Sequence, residues 1–289
     1  MHRHIEGRLK IVLSISGAIF AFEMMGGILS QSLALISDSL HVLLDFSAIG
    51  ISLAAFRIAN RPHSTSLSYG FHRAEILAAL ANGASLIGIS IFIFYEAYQR
   101  ILHPHAVDAP LLLAFASIGL AANVLMAFLL KKEKGANLNI KGSYTHILGD
   151  LLSSVAVIGG AIIMQLTGNF AADVVVSVGI GILIIRSGIM LCKECLHIFM
   201  EGTPPEIKTS EIANSLQQFS EITEVHDLHV WTLTSNLFVM SAHVMVDENF
   251  TDTNSLLERI HQVMRDEFGI NHCTIQIEKG HGLIKPDKK

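Results

Sequence analysis

Six long apolar stretches, separated by short polar segments, occupy the first two thirds of the chain. The stretches cover residues 9–29, 33–56, 76–99, 110–130, 145–166 and 172–191. Each has about the length that an α-helix needs to cross a hydrocarbon layer of about 30 Å. We therefore expect six transmembrane helices. The first stretch is too long for a signal peptide and lacks its small-residue cleavage site.

The pattern changes after Met200, where a polar segment with two consecutive prolines follows the last apolar stretch. We interpret residues 1–200 as the transmembrane domain, 201–206 as a linker and 207–289 as a cytoplasmic domain that ends in a short tail.

Shorter periodicities in the last part of the chain predict the element order αββαβ. The predicted elements are a helix that Thr209 or Ser210 caps, strands over 226–233 and 237–246, a helix over 252–268 that Gly269 stops, and a strand over 272–278. This order is that of a ferredoxin-like sandwich. The predicted fold class is therefore an all-α membrane bundle of six transmembrane helices followed by a small α+β ferredoxin-like cytoplasmic domain. The thin core of that domain favours a homodimer.

Lysine and arginine are concentrated in alternate connections between the apolar stretches. They occur at the N-terminus and in the second and fourth connections, as Arg3, Arg8, Lys10, Arg57, Arg61, Arg73, Lys131, Lys132, Lys134 and Lys141. Because short cytoplasmic loops retain positive charge, both termini are predicted to be cytoplasmic. The chain is 51% hydrophobic and only 16% charged, which is typical of a protein surrounded by lipid. It has no basic stripe for nucleic acid.

A pair of polar residues with the spacing His-x-x-x-Asp occurs twice within the apolar stretches. The pairs are His41 with Asp45 and His146 with Asp150. On a helix, positions i and i+4 lie on one face, so each pair presents an imidazole and a carboxylate together. Such groups are costly in a membrane unless they pair or bind an ion. Two pairs that meet would form a site with two nitrogen and two oxygen ligands. The alternative is that these side chains make polar contacts that hold helices together, as we expect for Glu23, Asn82 and Asn123.

The ligand set favours zinc, and cadmium or cobalt suit the same site. The protein fills all four positions, so no position stays open for an activated water, and the His-Glu-x-x-His motif of zinc proteases is absent. The chain is therefore not expected to be an enzyme. A membrane hydrolase would need a nucleophile or an open metal site, which neither motif supplies.

Histidine offers a way to release the ion, because imidazole binds either a proton or a metal. The motifs therefore predict efflux of a divalent metal cation in exchange for external protons. The alternative is a membrane-embedded zinc sensor, in which the buried site is structural.

The cytoplasmic domain contains its own cluster of histidines and carboxylates. Alternation along the last strand places Thr274, Gln276 and Glu278 on a polar side. We select His226, His243 and Glu278 as the best candidates for a second metal site.

Residues 32–41, 69–75 and 225–231, together with the two His-x-x-x-Asp pairs, resemble the cation diffusion facilitator family, in its zinc-preferring branch. The resemblance implies a homodimeric metal/proton antiporter with a metallochaperone-like tail. In this family, tail metal ions tighten the dimer, and His226, His243 and Glu278 match the residues that bind them. Whether such ions also regulate transport stays open.

Other positions matched by the resemblance refine these expectations. His72 matches a histidine that meets the tail near His272 in some vertebrate relatives, which makes His72 and His272 a candidate interfacial site. Leu67 and Phe71 stand where some bacterial relatives carry the histidines of a loop zinc site. The segment from Lys131 to Lys141 lacks the histidines common in eukaryotic members, so we expect a bacterial or archaeal cytoplasmic membrane.

Overall fold

A computed structural model describes the backbone of residues 2–59, 61, 65–131, 138–234 and 237–280. Side chains are described for residues 15–52, 54–59, 61, 65–128, 148–234 and 237–280. The chain divides into two compact units. The helical unit consists of residues 1–54 and 78–192, and the tail unit of residues 55–77 and 193–289.

Six long helices account for the apolar stretches. They are α1 His2–Ser30, α2 Leu33–Ala59, α3 Ala74–Leu102, α4 Ala109–Lys131, α5 Leu138–Thr167 and α6 Ala171–Phe199. Within the described residues, α2 to α6 are long and apolar enough to cross a membrane, and the described apolar part of α1 is the shorter segment Ile15–Ser30. Large apolar side chains such as Phe128, Leu166 and Val175 are exposed on these helices, which is the surface that lipid requires.

Helices α2 to α6 share one apolar core, in which Leu35, Ile93, Leu112 and Ile184 are almost completely buried. Small residues bring two of the helices close together. A Cβ atom on Gly188 of α6 would lie 2.9 Å from the carbonyl oxygen of Gly83 on α3, so only glycine fits there. Close approach through small residues is a common way of packing helices in lipid.

A buried carboxylate at the start of α6 caps the first turn of α2. Asp173 is 1% exposed and accepts hydrogen bonds from Ser32 Oγ at 2.5 Å and from the backbone nitrogens of Leu33 and Ala34 at 2.7 and 3.3 Å. The guanidinium of Arg100, on α3, lies 3.3 Å from the same carboxylate and donates to the carbonyl oxygen of Gln31. The first N–H groups of a helix have no partners within that helix, so these contacts stabilise the N-terminal end of α2.

The tail unit contains five further elements in the predicted order. They are α7 Thr209–Leu216, β1 Ile222–Thr234, β2 Leu237–Val246, α8 Thr253–Phe268 and β3 His272–Lys279. The sheet order is β1-β2-β3; β1 pairs antiparallel with β2, and β2 pairs parallel with β3. The parallel pair requires a crossover connection, which α8 provides. Leu216, Met240, Val244, Leu256 and Ile260 fill the core between the helices and the sheet.

Two details of the tail differ from the sequence prediction. The prediction that Thr209 or Ser210 caps α7 is wrong, because Lys208 is the N-cap residue. The backbone of Lys208 is extended, and its side chain makes no capping hydrogen bond. Strand β1 begins at Ile222 and not at the predicted residue 226. The sequence prediction missed this start because Thr223 and Glu224 are exposed polar residues that weaken the apolar signal. The predicted stop is confirmed: Gly269 has a φ of 68° and ends α8 in the left-handed conformation that glycine favours.

Candidate metal centres

Helix α2 and helix α5 bring three predicted ligands together inside the helical unit. His41 Nε2 lies 3.5 Å from Asp45 Oδ2, one turn further along α2. The same nitrogen lies 4.0 Å from Asp150 Oδ1 on α5. One ligand atom from each of the three residues lies within 4.8 Å of the others. An imidazole and two carboxylates therefore converge within an apolar bundle.

His146, the fourth predicted ligand, belongs to α5 and precedes Asp150 by one helical turn. Its backbone position puts it on the helix face that carries Asp150. The side chain of His146 lies outside the described residues, so its part in the site stays a prediction.

Asp38 connects α2 and α5 beside these residues. Its side chain is buried and accepts a very short hydrogen bond from Ser153 Oγ, on α5. Ser153 follows Asp150 by three residues, so the bond holds the two helices together close to the three converging ligands. A polar contact of this kind inside a bundle fixes the relative position of two helices.

Glu23, on α1, is another buried carboxylate of the helical unit. It is 1% exposed, and its Oε2 atom has no hydrogen-bond partner within the described part of the chain. Asn123 behaves differently, since it donates to Ser154 Oγ at 3.2 Å. The predicted interhelical hydrogen bond is therefore confirmed for Asn123, whereas the prediction for Glu23 has no such support.

The three strands of the tail sheet each contribute one residue to a second cluster. His226 on β1 is the direct partner of His243 on β2, and Glu278 lies on β3 two residues beyond the position opposite His243. His226 Nε2 lies 3.4 Å from Glu278 Oε2, and His243 Nδ1 lies 3.1 Å from Glu278 Oε1. The two imidazole rings meet edge to face, with centroids 5.3 Å apart.

The buried atoms of this cluster fit a resident metal ion. The side chains of His226, His243 and Glu278 are 8%, 13% and 2% exposed. Both ring nitrogens of His226, Nδ1 of His243 and Oε2 of Glu278 have no hydrogen-bond partner within the described residues. Each such atom costs about 1–3 kcal/mol if nothing satisfies it. Nitrogen and carboxylate donors in this number suit zinc.

Asp227 lies beside the tail cluster on the exposed surface. Its Oδ1 atom lies 2.9 Å from His229 Nε2, and its Oδ2 atom lies 3.6 Å from His243 Nε2. The hydrogen bond from His229, with the charges of the neighbouring histidines, holds the pKa of Asp227 below its usual range. Asp227 is therefore a carboxylate at neutral pH.

His72 and His272 line one cavity of about 200 Å³ within the tail unit. Tyr69 also lines it and stands edge-on against His272, with ring centroids 5.7 Å apart. The two histidines predicted as a candidate site thus share a cavity, but His272 is exposed and its ring meets that of Tyr69 edge to face.

The whole chain is similar to known metal transport proteins. The family model described as "cation efflux transmembrane domain" matches residues 9–200, and that described as "cation efflux protein, cytoplasmic domain" matches residues 204–280. A cadmium, cobalt and zinc/H(+)-K(+) antiporter of Bacillus velezensis is 39% identical, over 96% of this chain and 91% of the relative.

Two further relatives agree with these matches. The metal cation efflux system protein CzcD of Cupriavidus metallidurans is 37% identical, over 94% of this chain and 86% of the relative. The zinc transporter ZitB of Escherichia coli is 35% identical, over 94% of this chain and 87% of the relative. With both family models matched and such relatives aligned along nearly its full length, this multi-pass membrane protein belongs to the cation efflux family, the cation diffusion facilitators.

Proposed function

We propose that this protein exports divalent metal cations from the cytoplasm, with zinc as the main cargo and cadmium and cobalt as further cargo ions. The observation that carries the proposal is the convergence of ligand atoms from His41, Asp45 and Asp150 within 4.8 Å inside an apolar bundle. His146 supplies the fourth ligand. The relative named as a metal cation efflux system protein supports this direction of transport.

The transported ion is exchanged for protons by alternating access. Metal binds His41 and His146 only when the imidazoles are neutral, so loading expels protons toward the cytoplasm. Protons that enter from outside then compete for the same nitrogens and release the ion. The carboxylates of Asp45 and Asp150 supply negative charge, which makes the binding of a divalent cation at this site more favourable than the binding of water. The ion is moved and not chemically changed, so the protein acts as a transporter and not as an enzyme.

The membrane arrangement follows from the positive charge of alternate connections. We place α1 to α6 across the cytoplasmic membrane of a bacterial or archaeal cell, as six spans with both termini in the cytoplasm. This orientation puts the tail unit on the side where metal is loaded. In this arrangement residues 1–200 form the transport domain, 201–206 the linker and 207–289 the ferredoxin-like domain.

The tail forms a homodimer and holds a resident zinc ion at His226, His243 and Glu278. Their buried nitrogen and oxygen atoms, which have no hydrogen-bond partner in the described part of the chain, support the site. A zinc ion bound there draws three strands together, which is a structural contribution. His72 and His272 form a weaker candidate site, supported by their shared cavity.

A membrane-embedded zinc sensor is the second candidate function. It accounts for the tail cluster equally well. It is not favoured, because the relatives that align with nearly the whole chain are named as transporters.

Purified protein in liposomes is expected to take up zinc when the lumen is acidic, and zinc added outside is expected to dissipate the pH gradient. The reason is that each arriving ion displaces protons from imidazole. A zinc-sensitive dye in the lumen and a pH dye measure the two fluxes, and protein-free liposomes are the control. Zinc uptake that ignores the pH gradient would refute proton exchange; the absence of any zinc uptake would refute export.

Replacing one tail ligand is expected to remove bound zinc. His226→Ala and Glu278→Ala should each lower the zinc content of the full chain in detergent by one ion per chain, because three ligands are the minimum for this site. Elemental analysis after dialysis measures the loss. Thr274→Ala, an exposed position on the same strand as Glu278, serves as the matched control. An unchanged zinc content in both ligand variants would show that the tail cluster holds no resident ion.

A further inference from the structure

Asp227 has a backbone conformation that is unusual for a residue in a strand. The pairing of β1 with β2 shifts register between His226 and His229, and Asp227 in this bulge has a φ of 50°. Residues other than glycine seldom adopt a positive φ, and aspartate and asparagine are among those that tolerate it. A bulge of this kind redirects a side chain next to a site.

The redirected carboxylate reaches the side of His243 that faces away from Glu278. His243 Nδ1 lies 3.1 Å from Glu278 Oε1, and His243 Nε2 lies 3.6 Å from Asp227 Oδ2. The second oxygen of Asp227 lies 2.9 Å from Nε2 of the exposed His229. The imidazole of His243 thus lies between the candidate ligand Glu278 and the carboxylate of Asp227, which His229 contacts on its other oxygen.

Metal-binding histidines usually donate their other ring N–H to a carboxylate or carbonyl, which fixes the tautomer and the ring orientation. Asp227 stands on the Nε2 side of His243 at 3.6 Å, slightly beyond hydrogen-bond distance, so a small approach of the two side chains gives this arrangement. A proton on Nε2 directed at Asp227 leaves a lone pair on Nδ1, a buried atom without a hydrogen-bond partner among the residues that the structure describes. Asp227 would also make that nitrogen a better donor to a metal.

We propose that Asp227 is the positioning residue of the tail metal site: it holds His243 as the tautomer whose Nδ1 binds the ion, and His229 holds Asp227 in place. This inference rests on the proposed role of His226, His243 and Glu278 as metal ligands. Asp227 itself is not a ligand. Its φ explains the choice of residue, because a larger or branched side chain would strain the bulge.

Asp227→Asn is the sharpest test, since asparagine has the same size and tolerates the same backbone conformation. The variant is made in full-length protein that carries Asp45→Ala, so that the transport site does not contribute to binding. Co²⁺ serves as the probe, through its visible absorption and by competition with zinc. Affinity is expected to fall about 10–100-fold, the usual effect of losing an outer partner of a metal ligand. The absorption spectrum at saturation should keep its shape, because the ligands are unchanged.

His229→Ala is expected to weaken binding by a smaller factor, since Asp227 remains, and Glu258→Gln, an exposed change on α8, should have no effect. Unchanged affinity in Asp227→Asn would overturn the positioning role. A changed spectrum with a larger loss of affinity would identify Asp227 as a direct ligand and equally overturn it. His243→Ala distinguishes a failure of the tail metal site from a failure of the positioning role of Asp227. If Co²⁺ binding survives His243→Ala, both proposals are wrong.

Discussion

Zinc transport by His41→Ala or Asp150→Ala protein is expected to fall below about one hundredth of the wild-type rate. Loss of an outer partner of a metal ligand alone reduces metal affinity or activity about 10–100-fold, and loss of a ligand itself has a larger effect. His41 Nε2 lies 3.5 Å from Asp45 and 4.0 Å from Asp150, so removing either side chain opens the site. The measurement is zinc uptake into liposomes that contain equal amounts of each folded variant.

Ser37→Ala is the matched control for these variants. Ser37 is buried on α2, the helix that carries His41, and its hydroxyl donates to the carbonyl oxygen of Leu33 in the same helix. Its removal should leave transport unchanged. Size-exclusion profiles and thermal midpoints establish that each variant is folded. Transport that persists in both His41→Ala and Asp150→Ala would remove these residues from the pathway, and the buried cluster would then be a contact between helices.

Asp173→Ala is expected to lower the free energy of unfolding by about 3 kcal/mol. The change leaves buried N–H and O–H donors at the start of α2 without an acceptor, at about 1–3 kcal/mol for each unsatisfied group. It also leaves the charge of Arg100 without the buried carboxylate that lies 3.3 Å away. Equilibrium unfolding in mixed detergent micelles measures the difference.

Asp108→Ala provides the comparison, because Asp108 caps a helix in an exposed position. Its Oδ1 atom accepts from the backbone nitrogen of Leu111 at 3.0 Å, and losing such a cap costs about 1 kcal/mol. If the two variants lost equal stability, the buried network around Asp173 would add nothing beyond ordinary capping.

Local periodicity was enough to predict the internal geometry of one ligand pair. The spacing of His41 and Asp45 on a helix predicts neighbouring side chains, and the structure places them 3.5 Å apart. The order of the tail elements followed in the same way from turn residues and alternation. Which helices meet is a different kind of information, because periodicity gives the polar face of each helix but not the helix opposite it. The approach of His41 to Asp150 therefore needed the structure, and their use as ligands stays a prediction.

Two important polar residues had no local signal. Asp173 lies 141 residues from its partner Ser32 in sequence, so nothing near either position indicates the hydrogen bond between them. Asp227 directly follows His226, and strict alternation along β1 would direct it away from that histidine. The bulge reverses this expectation, and a positive φ at a non-glycine residue leaves no trace in the hydrophobic pattern.

The tail residues His226, His243 and Glu278 come from three adjacent hydrogen-bonded strands and none comes from a loop. Backbone freedom at these positions is already lost when the sheet folds, so an ion that binds there has little conformational entropy left to remove. A rigid binding site of this kind favours slow dissociation of the ion over rapid exchange. An ion held at the proposed tail site would be suited to maintaining the shape of the domain, whereas a cargo ion requires a site that opens in every transport cycle.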